Sequence, residues 1–307
     1  MGLCNSSETV SPIDIPAFTE EVDSDGEESE GEEEEEPKYV SSSKNAKKVE
    51  KRERMTLITG WDTSGKVAVF TGDDSGEGIL GYRFKSSTDS AATTMRVTDS
   101  NLVTNEDGVE ATEVFDVIEQ SDLISLVVRS PAEHSMNGER NDVEVQYFYE
   151  SVANPGTFSA LSVFYQADET SGDSALLQLV LGAKDTTFKL ASYNDAMITS
   201  DSTFTKYEGQ YTNPRNAGEG EIGDSSCEKV QWVILQDVQP MSAAQKDSFS
   251  ARWMENENFL AEETYGNNRK IQDLKSTIYS NKYESSGATF IAATVATIGT
   301  LLSTFAF

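Results

Sequence analysis

The sequence predicts a mainly β fold with a few short helices, closed by a hydrophobic C-terminal helix, and three observations carry that reading. First, a turn rich in Ser, Pro, Asn and Gly, Ser130–Asn141, runs into an alternating stretch. There Val143, Val145, Tyr147 and Tyr149 share one face and Glu144, Gln146 and Phe148 the other, the period of a strand. Second, Leu123–Val128 (LISLVV) is an apolar run, broken only by Ser125, between polar residues, which suits a strand covered on both faces. Third, nothing from Ser285 to Phe307 is charged, and the residues from Ala288 onward would span about 30 Å as a helix.

With 307 residues the chain is long enough for one large β domain. Its 53 acidic against 24 basic residues leave a net charge of −29, which excludes a nucleic-acid partner, since phosphates demand a basic face. After a leading segment, 1–19, comes a tract whose residues 20–36 are almost entirely Glu, Asp, Ser and Gly. A basic block of Lys44, Lys47, Lys48, Lys51, Arg52 and Arg54 follows it. Like charges at this density repel and offer nothing to bury, so 20–54 is expected to be a disordered insert. It would offer cations or a basic protein partner a multivalent acidic surface, or be neutralised by its own basic block.

The main domain is expected over 55–284. Short alternations at LITGW, KVAVF, ILGYRF and TMRVT, separated by Gly, Asp and Ser clusters, read as strands up to Phe115. Beyond the central stretch, Leu161, Val163 and Tyr165 alternate with Ser162, Phe164 and Gln166 as another strand. Leu176, Leu177, Leu179 and Val180 have helical spacing. The final segment, 285–307, reads as a membrane anchor. It is either a terminal membrane helix or the signal for a glycosylphosphatidylinositol anchor, whose small attachment residues would be Ser285, Ser286 and Gly287.

At Ser130, Pro131, Glu133, His134, Gly138 and Glu144 the chain resembles the α-type carbonic anhydrases, which carry H-x-H-S-P-S-E-H-x-x-x-G and then E-x-H there. The resemblance recurs in order along the chain. It is carried by Ser11–Ile15 (SPIDI), by the strand around Leu161, by Tyr207–Pro214 (YEGQYTNP), by Cys227 with the following EKVQWVILQ, and by Asn267, Arg269 and Gln272. It implies a central twisted mixed β-sheet and a zinc site built from two neighbouring strands.

The same resemblance places the three zinc-ligand positions at Val127, Arg129 and Gln146, none of which is a histidine. Catalytic zinc takes imidazole, thiolate or carboxylate. Valine offers no donor, glutamine a weak amide oxygen and arginine a fixed positive charge. The resemblance therefore implies retained supporting residues, Glu133, Glu144 and Thr212, without the ligands they would orient. His134, the single histidine, falls on a non-ligand position and is expected to be a hydrogen-bonded core residue. No catalytic residue and no zinc cofactor are expected. Arg129 would occupy the metal position, paired with Glu144 or Glu133. At 4 Å and an effective dielectric near 20 such a pair interacts by about 4 kcal/mol, offset in part by desolvation.

Cys4 and Cys227 fall on the positions that the family bridges, so the resemblance implies a disulfide and an oxidising compartment. Asn5-Ser6-Ser7 is then a usable glycosylation sequon. Gly2 followed by Ser6 also fits N-myristoylation, with Cys4 as a palmitoyl site, which would make the chain a cytosolic acylated scaffold with free thiols. A recorded start that omits a signal peptide reconciles the first reading. The expected protein is a catalytically inactive carbonic anhydrase-related recognition module. It would be held at the cell surface or in a secretory-pathway membrane by its C-terminus, with the domain on the extracellular or lumenal side. The rival is an active carbonate dehydratase or esterase with a relocated metal site.

Overall fold

A computed structural model describes residues 12–20, 39–40, 44–52, 54–59, 68–72, 83–86, 94–104, 110–182, 187–190, 198, 202–212, 225–254 and 271–282. In chain order its strands are β1 (Asp14–Ile15), β2 (Thr19–Glu20), β3 (Tyr39–Val40), β4 (Val49–Lys51), β5 (Thr56–Thr59), β6 (Ala68–Gly72) and β7 (Arg83–Ser86). Then follow β8 (Thr94–Thr104), β9 (Glu110–Arg129), β10 (Ser135–Met136), β11 (Val143–Ser151), β12 (Phe158–Ala167) and the helix α1 (Ala175–Gly182). The last elements are β13 (Thr187–Leu190), β14 (Phe204–Thr212), β15 (Ser225–Leu235), β16 (Gln239–Met241), α2 (Ala243–Met254) and β17 (Ile278–Ser280).

One sheet organises these elements in the order β13-β6-β7-β9-β11-β12-β15-β14-β17-β4. Most neighbours are antiparallel, but β12 lies parallel to β15 and β16, and β17 parallel to β4, which makes the sheet mixed. The fold is thus mainly β with two short helices among the described residues, as expected. The hydrophobic C-terminal segment, 285–307, lies outside them.

Both faces of the central strands are covered, which is why Leu123–Val128 carries apolar residues at consecutive positions. On one face Val128, Val145, Tyr147, Leu161, Val163 and Val233 pack with Leu176, Leu177 and Val180 of α1 and Phe249 of α2. On the other, Val127, Phe148, Ala160, Phe164, Tyr207 and Trp232 meet Ile13, Ile15, Met136 and Leu274. The helices cover only the first face. Ser174 caps α1, its hydroxyl accepting from Leu177 N–H at 3.2 Å, and Ser242 caps α2 through Gln245 N–H at 3.2 Å. Gln245 also clasps the start of α1, accepting from Ser174 N–H at 2.8 Å and donating to Ser174 C=O at 2.9 Å.

The leading segment closes the second face. β1 runs parallel to β10, Ile13 bridges to Gln272, and Gln272 N–H donates to Pro12 C=O at 2.8 Å. Asp14 pins the Ser130–Asn141 turn, because its Oδ1 accepts from Ser135 Oγ at 2.8 Å and from Gly138 N–H at 2.6 Å. The turn needs left-handed backbone at Asn137 (φ 50°) and Gly138 (φ 89°), which these two residue types accept most readily. Removing the Asp14 carboxylate strands two donors, so Asp14→Ala should lower stability by about 1–3 kcal/mol in a denaturant titration.

Two boundaries differ from expectation. The stretch expected to be disordered, 20–54, contains ordered structure from Lys44: Asn45 is buried and donates to Asp14 C=O at 2.6 Å, and β4 joins the sheet beside β17. The cause is Val49, a lone apolar residue among basic ones that packs on the second core, while Lys48 Nζ reaches Leu274 C=O. β2 and β3 pair antiparallel on either side of residues 21–38, so the acidic tract is bracketed by a hairpin stem. The second difference is β9, which begins at Glu110 rather than near Leu123; its first half, charged and exposed, pairs with β8 as a ribbon.

Candidate functional site

Strand pairing brings the residues of the central motif onto one face. Gln146 of β11 lies directly opposite Val127 of β9, and Glu144 opposite Arg129. On the other side of β11, Ser162 of β12 stands opposite Gln146 and Phe164 opposite Glu144. Alternation does the rest: residues two apart on β9 and β11 point to the same side, so Val127, Arg129, Glu144 and Gln146 form one cluster. The turn after β9 then lays Glu133 and His134 over it. Arg129, Glu144, Gln146 and His134 are fully buried, and Glu133 is 1% exposed.

Glu144 is the hub. Its Oε2 accepts the backbone N–H groups of Glu133 (2.8 Å) and His134 (2.9 Å). Its Oε1 accepts from His134 Nδ1 (2.8 Å), Gln146 Nε2 (3.0 Å) and Ser162 Oγ (2.5 Å). Burial by itself would raise this carboxyl's pKa. The electrostatic pull of His134 and the hydrogen bonds from His134, Ser162 and Gln146 outweigh it and bring the value down to about 2.

His134 Nδ1 faces Glu144, and on the other side of the ring Nε2 lies 2.6 Å from the Tyr207 hydroxyl. The ring sits edge-on to Trp232 with centroids 4.8 Å apart. Both ring nitrogens are thus spent on the fold.

Gln146 occupies the centre of the three positions. Its Nε2 gives one hydrogen to Glu144 and the other to Glu133 Oε2 at 3.0 Å, while its Oε1 accepts from Arg129 Nε at 3.4 Å. Only this amide orientation puts donors on both carboxylates and the acceptor on the guanidinium. Arg129 Nε also lies 3.7 Å from Glu133 Oε2, one of its two candidate partners. The second Glu133 oxygen, Oε1, is buried without a hydrogen-bond partner among the described residues.

This donor set does not fit zinc. Val127 contributes two methyl groups, Arg129 a cation that keeps its proton, and Gln146 an amide whose hydrogens both point to carboxylates. A divalent ion here would face a guanidinium at contact distance. Among the described residues, no group of three or more His, Cys, Asp or Glu side chains is arranged to hold a metal elsewhere.

The other positions singled out from the sequence are more scattered. Thr212 ends β14, opposite Ser225, and Cys227 lies in β15; their side chains are outside the described ones. Cys4, Asn5, Ser285, Ser286 and Gly287 lie outside the described residues altogether. Sequence reasoning overlooked Ser162, Tyr207 and Trp232 as members of the cluster. For Ser162 the signal was there: a small polar residue inside an apolar strand, on the face that pairing turns toward Glu144.

Comparison with known proteins bears on the fold. The chain is similar to carbonic anhydrase Cah3 from Chlamydomonas reinhardtii, solved in complex with acetazolamide, at 16% identity over 92% of this chain and 94% of that one, with a TM-score of 0.52. It is also similar to a hyperthermostable carbonic anhydrase from an active hydrothermal vent chimney (13% identity, 90% and 88% covered, TM-score 0.48). A third is an α-carbonic anhydrase of Photobacterium profundum (15% identity, 90% and 91% covered, TM-score 0.48). No family model matches the sequence, and no curated protein does.

Proposed function

We propose that this chain, built on a carbonic anhydrase-like fold, is a non-catalytic recognition module whose former metal centre is a closed structural network. A single observation carries the reading: Arg129, fully buried, stands between Glu133 and Gln146 where the resemblance puts the zinc ligands. Hydration of CO₂ by a zinc enzyme needs metal-bound hydroxide at neutral pH. Here the positions that would hold the ion hold each other. Glu144 keeps the turn and His134 in place, Gln146 joins the two carboxylates, and Arg129 supplies the positive charge that they would otherwise lack.

In this reading the domain works by its surface, on the extracellular or lumenal side of a membrane, with residues 285–307 as the anchor or its attachment signal and the Cys4–Cys227 bridge formed. A basic protein or cations at residues 20–36 are the partners that the acidic tract suits. The test is CO₂ hydration by the purified chain, assayed with and without added zinc. The expected result is the uncatalysed rate in both. Turnover that rises with zinc and disappears with a chelator would reinstate the hydratase. Anchoring is tested separately: phosphatidylinositol-specific phospholipase C should release the chain from intact cells, whereas a membrane helix would stay behind.

A further inference from the structure

We infer that the free edge of β8 is a docking site for an extended segment of a partner protein in which acidic and apolar residues alternate. β8 pairs with β9 along its length, but on its other side β5 covers only Met95–Thr98. Beyond Thr98 no described strand pairs with that second side. The reason lies in the chain just before β5. It turns at Arg52–Met55, where Met55 N–H donates to Arg52 C=O at 2.8 Å, because β4 upstream of the turn is held by β17. The divergence opens a groove of about 760 Å³ between Asp99–Val103 on one wall and Lys51, Arg52 and Arg54 on the other.

Three features of this groove fit one occupant. The first is backbone: Asp99 Oδ1 accepts from Ser100 N–H at 2.7 Å, a side chain supplying what a neighbouring strand supplies elsewhere. By alternation, Leu102 presents its N–H and C=O to the same open edge, the arrangement that an added strand completes. The second is apolar surface on one face of the ribbon, where Leu102 is 53% exposed and Val114 of β9, paired with Ser100, is exposed beside it. Exposed apolar residues gathered in one place mark interaction sites.

The third is charge. In a chain of net charge −29, three cations line one wall, and Arg52 is steadied over the Tyr279 ring at 5.4 Å with Glu50 Oε1 3.4 Å from Nη2. At physiological salt charges act over about 8 Å, so a ligand in the groove meets these cations directly. The chain's own residues 21–36 match the charge but contain a single large apolar residue, Val22, and so lack the alternation. A partner segment alternating Glu or Asp with apolar residues satisfies backbone, apolar wall and cations together. This surface is separate from the buried cluster around Glu144, so its failure leaves the reading of that cluster standing.

The experiment is fluorescence anisotropy on the full chain in mild detergent, with a short labelled peptide alternating Glu and Val and a Lys–Val peptide as control. The acidic peptide should bind and the control should not. The double variant Arg52→Glu/Arg54→Glu, altered only at exposed positions, should weaken binding by at least about tenfold. Leu102→Pro, which removes the edge N–H, should weaken it comparably while the circular dichroism stays unchanged. Equal binding of both peptides, or indifference to the charge reversal, overturns the proposal. Binding that appears only after residues 21–36 are replaced by a Gly-Ser linker would mean that the chain's own tract fills the groove, and overturns it as well.

Discussion

Glu133→Ala is expected to destabilise the protein by about 3–5 kcal/mol, read as a lower midpoint in urea at neutral pH with little change in the slope of the transition. The size follows from what is left behind. Arg129 is fully buried and its guanidinium keeps its charge, so without Glu133 that charge stays in the interior and loses the carboxylate 3.7 Å from its Nε. Arg129→Met should cost less, about 1–3 kcal/mol, because Glu133 keeps the hydrogen bond from Gln146 Nε2 at 3.0 Å. The two losses should not add: with both groups gone the interior holds no unpaired charge, and Arg129→Met/Glu133→Leu should recover much of the stability lost in Glu133→Ala. A Glu133→Ala variant as stable as the parent would remove the ion pair from the account.

The second large effect concerns acid. Glu144 titrates near 2 in the folded chain against an ordinary value of 4.5. The folded state therefore prefers the carboxylate more strongly than the unfolded chain does. That stability is complete above about pH 5 and drains away as pH falls through 4.5 toward 2, by about 3 kcal/mol in all. Urea midpoints measured across this range should show the decline. Glu144→Gln should flatten that part of the curve and also lower stability at pH 7 by about 3 kcal/mol. An amide has one acceptor oxygen and turns an NH₂ group toward donors that the carboxylate now receives, among them Ser162 Oγ and the backbone of Glu133 and His134. If the variant keeps the parent's acid dependence, another group carries it.

Much of the fold's centre was legible because burial on two faces leaves a plain mark. The β11 alternation reproduces the observed split: Val145 and Tyr147 lie in the core under the helices, Gln146 and Phe148 on the opposite side. Leu123–Val128 is apolar except at Ser125 because both cores claim it. The ribbon half of β9 was not legible, since Glu110, Glu113 and Asp116 obey no apolar period and owe their strand to pairing with β8. Nor was β4, where a single half-buried valine outweighs the basic residues around it.

In the candidate site, residues close in sequence were found and those brought in by pairing were not. Arg129, Glu133, His134, Glu144 and Gln146 fall within one short stretch. Ser162 and Tyr207 arrive from β12 and β14, and only strand order, which no local pattern encodes, places them against Glu144 and His134.

The central claim is that side chains of this protein fill the place of a metal, and zinc stoichiometry tests it most directly. The purified chain would be equilibrated with excess zinc, desalted, and measured by elemental analysis, with the Arg129→Met variant alongside. The account predicts far less than one zinc per chain for both, since losing the arginine restores no ligand. One tightly held zinc per parent chain, retained through desalting and lost on substitution of Gln146 or Glu133, would contradict it.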